Sequence, residues 1–362
     1  MASWRRYESG GCRINIVNYH RVVADFTGEV QRSLPGSLIS QETFRRHLVE
    51  ADAAGYQFAS LDEALDVMSG RMTSKKDLFV VTFDDGYRDV YRYAFPVLKA
   101  MGVPAIVYLP TGFIGTQRRF NHDRLFHLLG VLRTRRFRPV LETVPPQAVS
   151  LLEAVSKPGK PLTPQLHAFL ETQSPQTLEK LIGALETQLG GGPELLPEQG
   201  DPMSWDEVRK MSAGGIEFGA HTVNHTVLTQ ETPENVEREL RESKQTLEAQ
   251  LGKQVEHFAY CNGWYSDEVI QALKRLGYRS AVTTEDMPNQ IGGDPFTLRR
   301  KVLWENFSIG LTGDYSSALT TCQLDDVFGF FGMNHPVPGK RPQRLAPVVS
   351  EMANLIVQPG AH

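Results

Sequence analysis

Three cysteines in 362 residues, Cys12, Cys261 and Cys322, are too scattered and too odd in number for a disulfide framework. They suit reduced thiols. No run of about 18 apolar residues occurs, so no transmembrane segment is expected. Neither sign of charge is in excess. The 38 Lys and Arg stand against 42 Asp and Glu, a net charge of −4, which gives no electrostatic reason to expect nucleic acid as a partner. The opening stretch, "MASWRRYESGGCRINIV", has no apolar segment before its first charges and does not read as a signal peptide. With the free thiols, this makes a cytoplasmic location the expectation. There is no internal repeat, and nothing in the chain speaks to its oligomeric state.

What is present is a regular alternation. Short apolar, β-branched runs at 12–20, 56–61, 78–86, 104–112, 215–222, 255–263 and 278–284 read as strands covered on both faces. Helical patterns lie between them at 40–55, 89–102, 232–252 and 266–278, with Ser40 as a cap and Gly55, Gly102 and Gly252 as stops. Such alternation argues for a β/α barrel or a doubly wound sheet. Residues 115–203 interrupt it with helical stretches joined by Pro- and Gly-rich linkers, too long for a loop. We read a barrel over 12–303 with a helical insertion at 115–203, and a C-terminal extension over 304–362 that packs on the barrel. That extension includes a loop at 332–343 and a closing helix at 345–357.

Reactive residues cluster just past the C-terminal strand ends, where parallel β/α folds place their active sites. His20 follows "INIVNY", Asp84 and Asp85 follow "FVVTF", His221 follows "IEFGA" with His225 four residues later, and Tyr260, Cys261 and Asn262 follow "EHFA". One Asp with two His suits a borderline cation such as Zn²⁺. A cation beside Asp85 would offset the repulsion between the two adjacent carboxylates and let Asp84 stay ionised as a base.

These residues carry a family resemblance. "TFDDGY" (82–87) and "HTVNH" (221–225) resemble the polysaccharide deacetylases of carbohydrate esterase family 4, the NodB-homology domain. The likeness extends to "NYHRV" (18–22), the stretch after Tyr93, "ESKQTLEAQLGKQVEHFAYCNG" and "LRRKV" (298–302). It implies a distorted (β/α)₇ barrel that hydrolyses N-acetyl groups on amino sugars. Asp85, His221 and His225 fall on the metal-ligand positions, Asp84 on the catalytic base, and Asn262 where a backbone N–H serves the oxyanion hole. His20 matches the general acid of one branch. The resemblance implies Zn²⁺ first, with Co²⁺, Ni²⁺ or Mn²⁺ able to substitute, and an N-acetylated glycan or glycan precursor as partner.

The chain departs from the family in its third motif. Cys261 stands where Pro is usual, and Ala259 where many members carry the Arg that steadies the base. Arg300, typical of this branch, is expected to take over that work. Tyr260 and Trp264 are candidates for a pocket wall that receives the acetyl methyl or stacks on a sugar face. Four alternatives stand beside these assignments. His335 could be a late-chain acid in place of His20, and Cys261 a thiol nucleophile. The whole could be an amidase for a non-sugar bond, or a catalytically inactive glycan-binding module.

Overall fold

A computed structural model of the chain describes residues 12–30, 33–155, 163–173, 175–191, 195, 200–310, 313–327 and 339–343. Eight strands form one sheet, and every strand pairing in it is parallel. They are β1 (Ile14–Tyr19), β2 (Gln57–Phe58), β3 (Leu78–Phe83), β4 (Ala105–Leu109), β5 (Glu217–Ala220), β6 (His257–Ala259), β7 (Ser280–Val282) and β8 (Lys301–Val302). The order is β8-β1-β3-β4-β5-β6-β7, with the two-residue β2 paired to β3 off that path. The segment before β8 curls the sheet round on itself. Leu298 bridges Val282 in β7, and Lys301 and Val302 then pair with Val17 and Asn18 in β1. This is the distorted (β/α)₇ barrel that the resemblance implies. Each of the seven expected strands is found, shorter than its apolar run. β8 has two residues and carries no pattern of its own.

Among the described residues the helices of seven residues or more are α1 (Gln41–Ala53), α2 (Leu61–Met68), α3 (Phe95–Met101), α4 (Asn121–Thr134), α5 (Val149–Val155), α6 (Thr163–Thr172), α7 (Pro175–Gln188), α8 (Trp205–Ala213), α9 (Pro233–Leu251), α10 (Asp267–Arg275) and α11 (Ser317–Leu324). Local chemistry sets their ends. The Ser40 side chain accepts from the N–H of Thr43, and Gly252 closes α9 at a φ of 67°. Ser60 and Glu63 form a capping box that starts α2, a helix the strand reading passed over. The stretch 89–102 is helical but not uniform. A π-helical turn over Val90–Ala94 precedes α3, so Pro96 falls in a first turn, where its missing N–H costs nothing. Among the described residues no helix is long and apolar enough to cross a membrane.

Side chains alternate along each strand between two apolar layers. Ile14, Ile16, Leu78, Val80, Ile106, Tyr108, Ala259 and Val282 fill the barrel interior together with Leu298. Val17, Tyr19, Val81, Phe83, Val107, Leu109, Phe218, Phe258 and Tyr260 face outward under the helices. Continued upward, the inward parity carries Asn18, Thr82, Asp84, His221, Cys261 and Arg300 to the C-terminal mouth. Gly219 is needed on that parity, because a Cβ there would lie 2.5 Å from the Tyr108 ring.

Helices α4 to α7 all lie between β4 and β5, where the insertion is expected. They bury their own apolar cluster, with Leu125, Leu128, Leu129, Leu152, Leu181, Ile182 and Leu185 at its centre. Arg124 ties α4 to α7 through Glu179 and Glu186. Past β8, α11 docks on the barrel where the Tyr56 hydroxyl and Asn15 Nδ2 each donate to the Leu324 carbonyl at 3.0 Å. His335 and the expected helix at 345–357 lie outside the described residues.

Candidate active site

Asp84 sits at the top of β3 and is 3% exposed. Arg300 Nη1 donates to its Oδ1 at 2.8 Å and Nη2 to its Oδ2 at 2.7 Å, a bidentate fork from a guanidinium that is itself fully buried. The fork is held in turn. Arg300 Nε donates to the Thr283 carbonyl at 2.8 Å, and Nη1 also donates to Thr82 Oγ1 at 3.1 Å. Asn18 Nδ2 adds a third donor to Asp84 Oδ2 at 3.0 Å. Burial works against the charge on Asp84, but the Arg300 guanidinium, followed by His221 and His20, outweighs it and holds the carboxyl below its usual range. Asp84 is therefore an ionised, immobilised acceptor.

Asp85 follows with φ 72°, and Gly86 with φ 68°. Only glycine suits the second position, since a Cβ there would lie 2.4 Å from Leu109 Cδ2. This pair of left-handed residues turns Asp85 away from Arg300 and toward the histidines. Its Oδ1 lies 3.2 Å from His225 Nε2 and 3.6 Å from His221 Nε2. That oxygen is buried and makes no hydrogen bond with any described residue. The other nitrogen of His221, Nδ1, is 2.7 Å from the Ala259 carbonyl. A carbonyl only accepts, so Nδ1 carries the proton and Nε2 keeps a free lone pair. Burial lowers His221 to about 4, whereas at His225 the Asp85 carboxylate outweighs burial and raises the imidazole.

The turn that presents the two histidines is strained and heavily tied down. Thr222 and His225 have φ values of 65° and 55°, and for a β-branched residue this is an outlier. The Thr226 N–H bonds Thr222 Oγ1 at 2.9 Å, and the Thr111 N–H bonds the Thr222 carbonyl at 3.1 Å. Glu239, buried in α9, accepts from the N–H groups of Val223 and Asn224 and from Asn224 Nδ2. Strain of this kind persists only where the surroundings over-determine it.

The remaining expected residues divide. His20, half-buried, directly follows Tyr19 of β1, which pairs with Phe83, just as Asp84 follows Phe83. Asn262 is exposed with φ 57°. The hydrogen bonds of its turn run from the N–H groups of Gly263 and Trp264, so the Asn262 N–H stays out of them. Trp264 is half-buried with the Arg341 guanidinium 4.9 Å over its ring. Tyr260 does not fit the pocket-wall expectation. Strand parity points it outward beneath the helices, it is 1% exposed, and its hydroxyl donates to the Phe296 carbonyl at 3.0 Å. Cys261 is buried with Sγ 3.9 Å from His221 Nδ1. Burial pushes its thiol well above the ordinary value, which removes the thiolate a nucleophile needs.

Two groups at the site lay beyond the sequence reading. Asn18 is one, and its signal was a polar residue inside an apolar strand. The other comes from the insertion. Phe120 packs edge-on to His225 at 5.4 Å, and His122 lies 6.3 Å from His225, ring centre to ring centre. The insertion therefore borders the site.

Residues 71–281, more than half of the chain, match the family model described as polysaccharide deacetylase. This chain belongs to the polysaccharide deacetylase family. A Bacillus subtilis (strain 168) protein, YxkH, provisionally named a polysaccharide deacetylase, is 19% identical over 68% of this chain and 59% of its own length. Among solved structures, the Streptococcus pyogenes deacetylase PplD in complex with acetate superposes with a TM-score of 0.56 at 20% identity, covering 87% of this chain and 99% of its own. IcaB from Ammonifex degensii gives 0.53 at 20% identity, over 82% and 94%. BC0361, a polysaccharide deacetylase from Bacillus cereus, gives 0.53 at 17% identity, over 86% and 69%. At these identities the structures establish the shared fold.

Among the described residues of this family member, two sets of side chains could hold a cation, and they share both histidines. His221, His225 and Cys261 offer atoms within 4.8 Å of one another. Asp85 offers the orphaned Oδ1 facing both Nε2 atoms. The Cys261 sulfur lies at the Nδ1 side of His221, where the nitrogen is already spent on Ala259, and its proton is held tightly. In the Asp85 set, the lone pair that His221 keeps on Nε2, the orphaned Asp85 oxygen and His225 Nε2 converge on one point.

Proposed function

We propose that this protein is a metal-dependent hydrolase that removes N-acetyl groups from an amino sugar in a polysaccharide, oligosaccharide or glycan precursor. One observation carries the reading. An ionised carboxylate locked by a buried guanidinium, Asp84, is adjacent to a second carboxylate with an orphaned oxygen facing two imidazoles, Asp85. A binding module has no use for a base fixed beside such a cluster.

In this reading Asp85, His221 and His225 hold a divalent cation, Zn²⁺ first. A cation held there would supply Lewis acidity toward the acetyl carbonyl and the attacking water. Asp84 takes the proton of the attacking water, and the Arg300 fork keeps it from swinging away. The Asn262 N–H meets the oxyanion that forms on the carbonyl carbon. Removing a donor of this kind costs about 2.7–4 kcal/mol of transition-state stabilisation. His20 gives a proton to the departing amine, which leaves poorly as an anion. The products are acetate and a free amino sugar. Trp264, half-buried near this mouth, offers its ring to the sugar in this reading.

The test is acetate release from a panel of N-acetylated glycans and sugar precursors, with and without a chelator. Release that stops with chelator and returns with Zn²⁺ supports the reading. Release only from non-sugar amides moves the substrate class, and no release from any amide overturns it.

A further inference from the structure

The first turn of α4 brings three side chains of the insertion to the catalytic mouth, and their hydrogen bonds fix the state of one of them. Tyr87 Oη donates to Asp123 Oδ2 at 2.6 Å. A phenol has one proton, and a carboxylate only accepts, so that proton is spent. The Tyr87 oxygen is then an acceptor, and the group beside it is His122 Nε2 at 3.1 Å. Nε2 must therefore carry the hydrogen. A neutral imidazole has a single N–H, so His122 Nδ1 is a bare lone pair, with no hydrogen bond to any described residue. The ring is packed in place. It stacks on Phe120 at 5.3 Å with the planes 16° apart, and its side chain keeps 22% of its surface open. The His225 ring is 6.3 Å away. The mouth thus holds a fixed, accessible acceptor one ring's width from the catalytic cluster.

We propose that His122 is a substrate-binding residue whose Nδ1 accepts a hydrogen bond from a hydroxyl of the sugar being deacetylated. The proposal rests on the deacetylase reading above. Asp123 and Tyr87 are positioning residues that hold the imidazole in the tautomer with Nδ1 free. A polar site built to meet a hydroxyl discriminates against ligands that lack one, because the acceptor is then left unpaired. The insertion accordingly selects hydroxylated amides over simple acetyl compounds, while the barrel carries the reaction itself.

The experiment compares two substrates near neutral pH in the Zn²⁺-loaded enzyme. One is the tetramer of N-acetylglucosamine. The other is 4-nitrophenyl acetate, which has no sugar hydroxyl. His122→Leu should lower kcat/KM on the tetramer about 10-fold, the size of one net hydrogen bond, chiefly through KM. The ester, which offers no sugar hydroxyl, should lose much less. His122→Asn places an oxygen near the Nδ1 position and should restore most of the tetramer activity. His122→Gln reaches the Nε2 position and should not. If the leucine variant fails to fold, the Asn and Gln pair decides alone. Equal losses on tetramer and ester, an unchanged tetramer rate in His122→Leu, or rescue by Gln rather than Asn each overturn the assignment. A wild-type enzyme that cleaves no N-acetylated sugar at all overturns the deacetylase reading instead, which keeps the two failures apart.

Discussion

Arg300→Leu removes the guanidinium on which the state of Asp84 depends. The wild-type side chain makes two charge-assisted bonds to the carboxylate at 2.7 and 2.8 Å. It also satisfies the Thr283 carbonyl. In the variant, Asp84 stays buried with Asn18 as its one remaining side-chain donor. Removing one partner of a buried pair in this way costs about 3–5 kcal/mol, because the other charge is left uncompensated. The chain can reduce that penalty by protonating Asp84. Burial, now unopposed by the guanidinium, drives its carboxyl upward. The sign follows from linkage. In the wild type the folded carboxyl titrates below the unfolded one, near 3.9, so the pair's stability is full above that value and is lost as pH falls through the lower folded value. In the variant that contribution vanishes. The acid limb of kcat/KM for acetate release moves to higher pH, and the urea midpoint at neutral pH drops. Arg300→Lys restores charge without the fork and falls between the two. An Arg300→Leu enzyme with an unmoved acid limb and an unmoved midpoint would refute the claim that Arg300 governs Asp84.

Three further outcomes are expected. His221→Ala/His225→Ala should lose its bound metal by elemental analysis, and full occupancy in that double variant would contradict the ligand assignment. His20→Ala should keep its metal and lose amide hydrolysis far more than hydrolysis of an activated ester, whose leaving group needs no proton; equal losses would remove His20 as the acid. His47 is buried between Tyr19 Oη at 3.1 Å and Ser308 Oγ at 2.5 Å, and burial lowers it to about 3. The unfolded imidazole takes up its proton near 6.5, so stability from this site is full above that pH. It falls by about 1.4 kcal/mol per unit as pH drops toward the folded value. Urea midpoints measured from neutral pH downward should show that slope in the wild type and a shallower one in His47→Gln.

Much of the fold could be read directly. Apolar runs bounded by Gly and polar residues mark strands because both faces of this sheet are covered, and Ser40 and Gly252 cap helices by local chemistry alone. β8 could not be read that way. Two residues have no period, and their place comes from closing the sheet against Val17 and Asn18. The metal-cluster candidates were legible because carboxylates and imidazoles at strand ends have few other reasons to be there. Tyr260 misled for the same reason, since position after a strand says nothing about parity, and one residue of shift exchanges the barrel interior for the helix layer. Asn18 and Arg300 differ in a related way. Each is a polar residue on an inward parity in a stretch that carries the resemblance, but the resemblance gives a role only to Arg300. His122 was hidden by distance. The loop joining β4 to the insertion brings it to His225 across a separation in sequence that no local pattern encodes.

The central claim is that Asp84 acts as the base and not as a main ligand of the metal, and one variant tests it most directly. Asp84→Asn keeps the shape and the contact with Asn18 while removing the charge. Metal content and acetate release from the N-acetylglucosamine tetramer should be measured on the same preparation. The account predicts metal at the wild-type level and turnover reduced by about 10²–10⁴-fold. A variant that turns over at a near-normal rate, or one that loses its metal along with its activity, would contradict it.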